Sequence, residues 1–367
     1  MRKDVPMFFD EKVHVTFDDV LLATGLCDVD SRSEIDLTTQ LPKGYSLGLP
    51  VMTAAMDTIT SLDMARAIVE EGGAVVHHRN QSVNARVAML RELSEHPEVV
   101  EKRAINGTAV GLGIDVEDVE RLLDAGANLL CIEVAHAFMP AVAETVNRIG
   151  PMCKQHEALL MVGNFSSVKA TRWLREETDD LVDLVKVSQG GGSCCTTRIR
   201  TGIGKPTLQS VIDLVRSDTP YTVIADGGIR TSGALAKALA AGACAGMLGG
   251  MLSGTRETPG EVIYQGERAY KHFRGMASRD AKEAVADEIK NVEGISTLVP
   301  YKGPVSQVLE QIRDGLQGSV ASTGFENLRQ FQQGAQFIRV SKSSQIESLP
   351  HAEFLKKDPS YHQAADA

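Results

Sequence analysis

The chain has 367 residues, 43% of them hydrophobic and 23% charged, the composition of a globular protein with ample material for a large core. Its formal net charge of -10 excludes a general attraction for nucleic acid or anionic membrane, so any phosphate binding must be local. No apolar run approaches the roughly 18 residues of a membrane span. The opening MRKDVPMFFDEKVHV lacks the long apolar segment of a secretory signal, and a cytoplasmic location is the expectation.

In chain order, eight short apolar runs read as strands: 49–56, 73–77, 107–113, 128–134, 158–164, 183–187, 221–226 and 245–250. They are nearly continuous in hydrophobicity, as parallel strands buried on both faces are. Helical patterns lie between them, among them 61–73, 116–127 and 231–243. The first ends in Gly-Gly and the other two in Gly-Ala, which suits glycine C-caps. Eight such units predict a (β/α)8 TIM barrel in a single catalytic domain over residues 1–340. A doubly wound sheet is the alternative, but its G-x-G-x-x-G fingerprint after an early strand is missing. Beyond the eighth strand, SGTRETPGEVIYQGE (253–267) reads as a hairpin excursion. GPVSQVLEQIRDGLQGSV (303–320) reads as the last outer helix, and residues 341–367 as a polar, poorly ordered tail.

Barrel enzymes place their chemistry at the C-terminal ends of the strands, with phosphate held after strands seven and eight. Three glycine-rich turns follow strands six, seven and eight here: SQGGGSCCTTR, ADGGIRTSG and LGGMLSGT. Glycines let backbone N–H groups approach an oxyanion closely. Ser193, Gly228, Gly249 and Gly250 are therefore the phosphate candidates, and Asp226, at the tip of strand seven, is placed to accept from a ribose diol. The six cysteines form no C-x-x-C pair, so structural zinc is not expected. Cys195 is the candidate nucleophile, on a glycine-rich loop near a helix start; Cys194 competes with it. A small buried residue is the plain reading of either.

FDDVLL (17–22), MDT (56–58), VKVSQGGGSCCTTRIRTGIGKP (185–206), ADGGIRTSG, MLGGMLSGT, GMAS (275–278) and EGISTLVPYKGPV (293–305) together resemble the inosine-5′-monophosphate dehydrogenase and guanosine-5′-monophosphate reductase superfamily. The likeness runs in order from about residue 10 to 340. It implies a barrel, a homotetramer, a purine nucleoside monophosphate substrate and a nicotinamide cofactor. It puts the nucleophile at Cys195 and makes Cys194 the variable position. It further implies that Thr197 and Glu293 serve proton transfer, and that Met56, Gly275 and Met276 contact the substrate. Arg79, Glu133, His136 and Asn164 fall on the cofactor side. Read alone, Glu293 and Arg79 are solvated surface charges.

Within that superfamily the dehydrogenase activates water with an Arg-Tyr pair on a flap and carries a regulatory insert after strand two. RDAKEAVADEIKNV (279–292) has no Arg-Tyr, and VVHHRNQS runs straight on into the next helix. Both features resemble the reductase, implying NADPH-dependent reductive deamination of a guanine nucleotide at C2. Other features depart from it. Ser188, Gln189 and Gly191 alter the loop in which Gly190, Gly192 and Cys195 would carry a monovalent cation such as K+. Glu133 and His136 replace aspartate and asparagine, and Ala55 replaces a polar residue. These changes keep three alternatives open: the same chemistry on a 7-deazaguanine nucleotide, oxidation of the inosine nucleotide with NAD, and a non-catalytic purine-nucleotide-binding protein. The segments FIRVSKSSQIES and VPYKGPVSQVL look more like the dehydrogenase branch.

Overall fold

The computed structural model describes residues 10, 12–217, 219–283 and 291–349. Eight parallel strands form one sheet in chain order: β1 (Val51–Thr53), β2 (Val75–His77), β3 (Asn106–Val110), β4 (Leu129–Glu133), β5 (Leu159–Phe165), β6 (Leu184–Val187), β7 (Thr222–Asp226) and β8 (Ala245–Leu248). β8 pairs back onto β1, and a parallel bridge between Met52 and Ala74 joins β1 to the start of β2, closing a (β/α)8 barrel. All eight expected strands are present, most of them shorter than the apolar runs that announced them. The flanks of each run lie in the turns, where the backbone leaves the ladder.

The outer helices are α1 (Leu62–Glu70), α2 (Val83–Ser94), α3 (Val116–Asp124), α4 (Pro140–Gln155), α5 (Val168–Thr178), α6 (Thr207–Val215), α7 (Ser232–Ala240) and α8 (Val305–Ser322). Each buries an apolar stripe, as α3 does with Val119, Leu122 and Leu123, the spacing of one helix face. The glycine stops hold. Gly72, Gly126 and Gly242, each two residues beyond the last helical residue of α1, α3 and α7, have φ of 80°, 94° and 100°, a region costly for any residue with a Cβ.

Period-2 alternation sorts the strand residues into two cores. Met52, Val76, Ala109, Leu129, Cys131, Leu159, Met161, Leu184, Ile224 and Met247 point inward and pack together. Val51, Val75, Leu130, Ile132, Leu160, Val162, Val185, Val187 and Val223 point outward against the helices. Leu41, Tyr45 and Leu47 join the inward set; they come from the small hairpin that pairs Thr39–Gln40 with Ser46–Leu47 and closes the barrel floor.

The excursion after β8 is larger than a hairpin. β9 (Ile263–Gln265) and β10 (Arg268–Arg274) turn about Gly266, and β11 (Ser296–Pro300) adds a third antiparallel strand. Residues 284–290, within the segment expected to hold a flap, lie outside the described residues, as do 350–367 of the expected tail. The tail's first part is ordered, correcting the expectation: Lys342–Glu347 is helical and Gln345 Nε2 donates to the Asp18 carbonyl at 3.0 Å. Just before it, Phe337–Arg339 pairs with Val20–Leu22.

Candidate active site

The loop that follows β6 turns back on itself and presents two adjacent cysteines in opposite directions. Cys194 is buried in the outer core, against the space where a Cβ on Gly275 would lie, 3.2 Å away. Burial pushes its thiol up to about 11, which makes it a poor nucleophile. Cys195 is half-buried. Its Sγ donates to Thr197 Oγ1 at 3.1 Å, and that hydroxyl donates to Glu293 Oε2 at 2.7 Å.

Glu293 reaches this position because the excursion folds back over the loop. Thr196 N–H donates to the Glu293 carbonyl and Ile295 N–H to the Cys194 carbonyl, each at 2.9 Å. On the other side, Glu293 N–H donates to the Ala277 carbonyl and Gly275 N–H to that of Ile295, each at 3.0 Å. Residues 293–295 are thus a strip between the cysteine loop and the 275–277 turn. A carboxylate that reads as solvated in the sequence is fixed by backbone on both sides.

The glycine-rich turns lie against one another. A Cβ on Gly227 would lie 2.9 Å from Gly191 C and Gly192 N, and one on Gly250 would lie 2.7 Å from Ser193 Oγ. The turns after β6 and β7 therefore touch through backbone, and the Ser193 side chain of the β6 turn lies against Gly250 of the β8 turn, with Gly227 and Gly228 at φ of 79° and 78°. Ser193 is exposed and gathers with Gly228, Gly249 and Gly250 on one rim. Met56 Sδ lies 3.2 Å from the Cβ position of Gly249. Asp57 N–H contacts Met276 Sδ at 3.4 Å. Asp57 also holds Arg274 by two oxygens, with distances of 2.6 and 3.2 Å, which pins the Gly275–Met276 turn to the end of β1. Lys302, unforeseen in the sequence, donates to the Gly250 and Met251 carbonyls at 3.1 Å; burial lowers its pKa to about 8.

The side chains assigned to the cofactor divide into two groups. Arg79 and His136 are exposed on the rim. The Arg79 guanidinium lies 3.2 Å from where a Cβ of Gly111 would be, and the His136 ring meets Phe138, which meets Trp173 at 5.2 Å between centroids. The rings meet edge-on and tilted, at 60° and 56° between planes, so this rim offers a cation and a run of aromatic edges. Glu133 and Asn164 belong deeper. Asn164 Nδ2 donates to Asp226 Oδ2 at 2.8 Å, and both carboxylates, Glu133 and Asp226, accept from Lys186 Nζ. Asp226 is therefore committed on one oxygen by Asn164 and Lys186 alone.

In the cysteine loop itself, Gly192 O accepts from Cys195 N–H at 3.0 Å. Arg198 packs against Gly190, and its Nε donates to the Gln189 carbonyl at 2.9 Å. Gln189 is buried and its Nε2 donates to the Ala135 carbonyl at 3.2 Å, linking the loop after β6 to that after β4. Among the described residues, no helix is long and apolar enough to cross a membrane.

Comparison with known proteins agrees with this architecture. The IMP dehydrogenase / GMP reductase domain model matches residues 14–351. An inosine-5′-monophosphate dehydrogenase of Borreliella burgdorferi is 32% identical over 94% of this chain and 98% of its own length, in an alignment of 406 positions. One from Methanocaldococcus jannaschii is 30% identical over 93% of this chain and 96% of its own. One from Rhizobium tropici is 43% identical over 66% of this chain, matching 51% of its own length. The chain belongs to the IMP dehydrogenase / GMP reductase family.

Proposed function

We propose that the protein is a purine-nucleotide oxidoreductase of the GMP reductase type, removing the 2-amino group of a guanine nucleotide through an adduct on Cys195. The continuous chain from Cys195 Sγ through Thr197 Oγ1 to Glu293 Oε2 carries this reading, because a proton can travel along it in either direction. As sulfur bonds to C2, the thiol proton passes to the Thr197 oxygen while the Thr197 proton passes to Glu293. The C2–N bond then breaks, and the same two groups return the proton to the amine, which leaves as ammonia. A bound nicotinamide cofactor, NADPH in this reading, supplies the hydride that takes the place of nitrogen on C2. Sulfur then departs with the electron pair of its bond to carbon. Asp226 would accept from the ribose diol, the Ser193–Gly228–Gly249–Gly250 rim would hold the phosphate, and Arg79 and His136 would hold the dinucleotide.

A second reading, oxidation of inosine monophosphate with NAD, is favoured by the relatives, which are themselves inosine-5′-monophosphate dehydrogenases. The Borreliella dehydrogenase is covered almost whole by a 406-position alignment, so lack of an insert does not separate the branches. The test is absorbance at 340 nm with an ammonia assay in parallel. NADPH loss matched to ammonia release from GMP supports the first reading. NADH formation from IMP and NAD, with GMP inert, overturns it in favour of the second. Turnover of a 7-deazaguanine nucleotide in preference to GMP would change the base and keep the chemistry.

A further inference from the structure

Lys186 is a charged side chain in the barrel interior that the reaction above leaves without a task. It points inward from β6, and 1% of the residue is exposed. Its Nζ lies 2.8 Å from Asp226 Oδ2, and 3.0 and 2.9 Å from the two oxygens of Glu133. The route to Glu133 depends on a missing side chain. In the strand register Glu133 stands opposite Gly163, and Gly163 opposite Lys186. A Cβ on Gly163 would lie 2.5 Å from Lys186 Cβ and 3.2 Å from its Cε, so the lysine crosses β5 through the space that glycine leaves.

The cluster is graded toward the mouth of the barrel. The Lys186 side chain is 2% exposed, while those of Asp226 and Glu133 are 20% and 32% exposed. The ammonium lies beneath and the carboxylates face the site. Burial works against the charged lysine, but Asp226 and then Glu133 outweigh it and raise its pKa. Cys131 faces the cluster from β4, and burial holds its thiol well above the ordinary range, so it stays neutral. Asn164 donates to the same Asp226 oxygen as the lysine. Asp226 Oδ1 receives no hydrogen bond among the described residues.

We propose that Lys186 is a positioning residue: it keeps Asp226 and Glu133 ionised together and turns the free oxygen of Asp226 toward the ribose diol of a purine nucleotide. The inference rests on the nucleotide reading above but not on which reaction follows. Two carboxylates bound to one cation lose their balance when the cation is replaced by a neutral chain, and the pair then takes up a proton more readily. Asp226 would share that proton, and a protonated Asp226 is a weaker acceptor.

The test uses Lys186→Met, an unbranched neutral chain for the same groove, and the double variant Lys186→Met/Glu133→Gln. Dissociation constants for GMP and IMP are measured by calorimetry from pH 5.5 to 8.5, each as a ratio to wild type so that the nucleotide's own phosphate titration cancels. For Lys186→Met the ratio should exceed tenfold at pH 5.5 and shrink as pH rises. In the double variant, with one carboxylate left, it should be flat. A ratio near one at every pH, or a loss independent of pH, overturns the assignment; the latter is what a purely structural lysine would give. If Lys186→Met does not fold, Lys186→Gln carries the same expectation. Wild-type protein that binds neither nucleotide overturns the nucleotide reading and this inference with it, an outcome distinct from failure of the Lys186 variants alone.

Discussion

Lowering the pH from 7 to 5 should cost this fold about 2 kcal/mol through one imidazole, that of His77. His77 ends β2 and points outward, fully buried, with neither ring nitrogen in a well-formed hydrogen bond, and the Asn106 side chain opposes only weakly the loss of its charged form. Arg86 from α2 and Asn106 from β3 surround it, and His78 follows it in the chain. Burial, with a smaller push from His78, lowers its pKa from 6.5 to about 4. The unfolded chain therefore takes up this proton first. The neutral imidazole's contribution is complete above the unfolded value and is lost progressively as the pH falls toward 4. The full difference of roughly 2.5 units corresponds to about 3.4 kcal/mol, of which about 2 is spent by pH 5. Urea unfolding of wild type and His77→Leu at pH 7, 6 and 5 measures it, because leucine cannot titrate and the other histidines are common to both proteins. Wild type should lose about 2 kcal/mol more than the variant over that range. Parallel losses would refute the reasoning.

The proton chain predicts that Thr197→Ala and Glu293→Gln each lower kcat by about 10²- to 10³-fold while nucleotide affinity changes less than threefold; a Glu293→Gln enzyme with near wild-type kcat would remove Glu293 from the chemistry. Gly163→Ala places a methyl group 2.5 Å from Lys186 Cβ and should destabilise by about 1–3 kcal/mol, read as a lower thermal midpoint; an unchanged midpoint contradicts the crossing of the lysine over β5. Asp57→Asn loses the paired contact to Arg274 and frees the Gly275–Met276 turn, so KM for the nucleotide should rise about tenfold with kcat less affected. Arg274→Lys, which cannot form the two-pronged pair, should behave alike, and an unaltered KM in both would show that the turn needs no anchor.

The barrel was legible because parallel strands buried on both sides must be apolar throughout, and the runs through VMT, LLCI and TVIA announce that. Lys186 was missed for a related reason. LVKV reads with the apolar runs and its lysine draws no notice there, yet an eight-stranded barrel has no solvent-facing side to receive it. A charge on such a strand can only point inward to a counter-charge or outward beneath a helix, and the carboxylates ending β4 and β7 were the available clue. Glu293 and Thr197 are 96 residues apart, and no local pattern joins them; only the family resemblance paired them. The third strand of the excursion was missed because STLVP is short and the chain returns to it only after the 275–277 turn and the residues beyond. The departures at Glu133 and Gln189 were visible as letters, but their partners, Lys186 on β6 and the Ala135 carbonyl in the loop after β4, come from distant parts of the chain.

The hairpin beneath the strands also fixes traffic. With Leu41, Tyr45 and Leu47 on the floor and inward side chains such as Met52, Met161 and Met247 filling the interior, the described residues leave no way through the barrel, and Cys195 is approached from the loop side of the fold. Under the proposed function a nucleotide and a dinucleotide would share that side, and the one lying deeper would enter first and leave last.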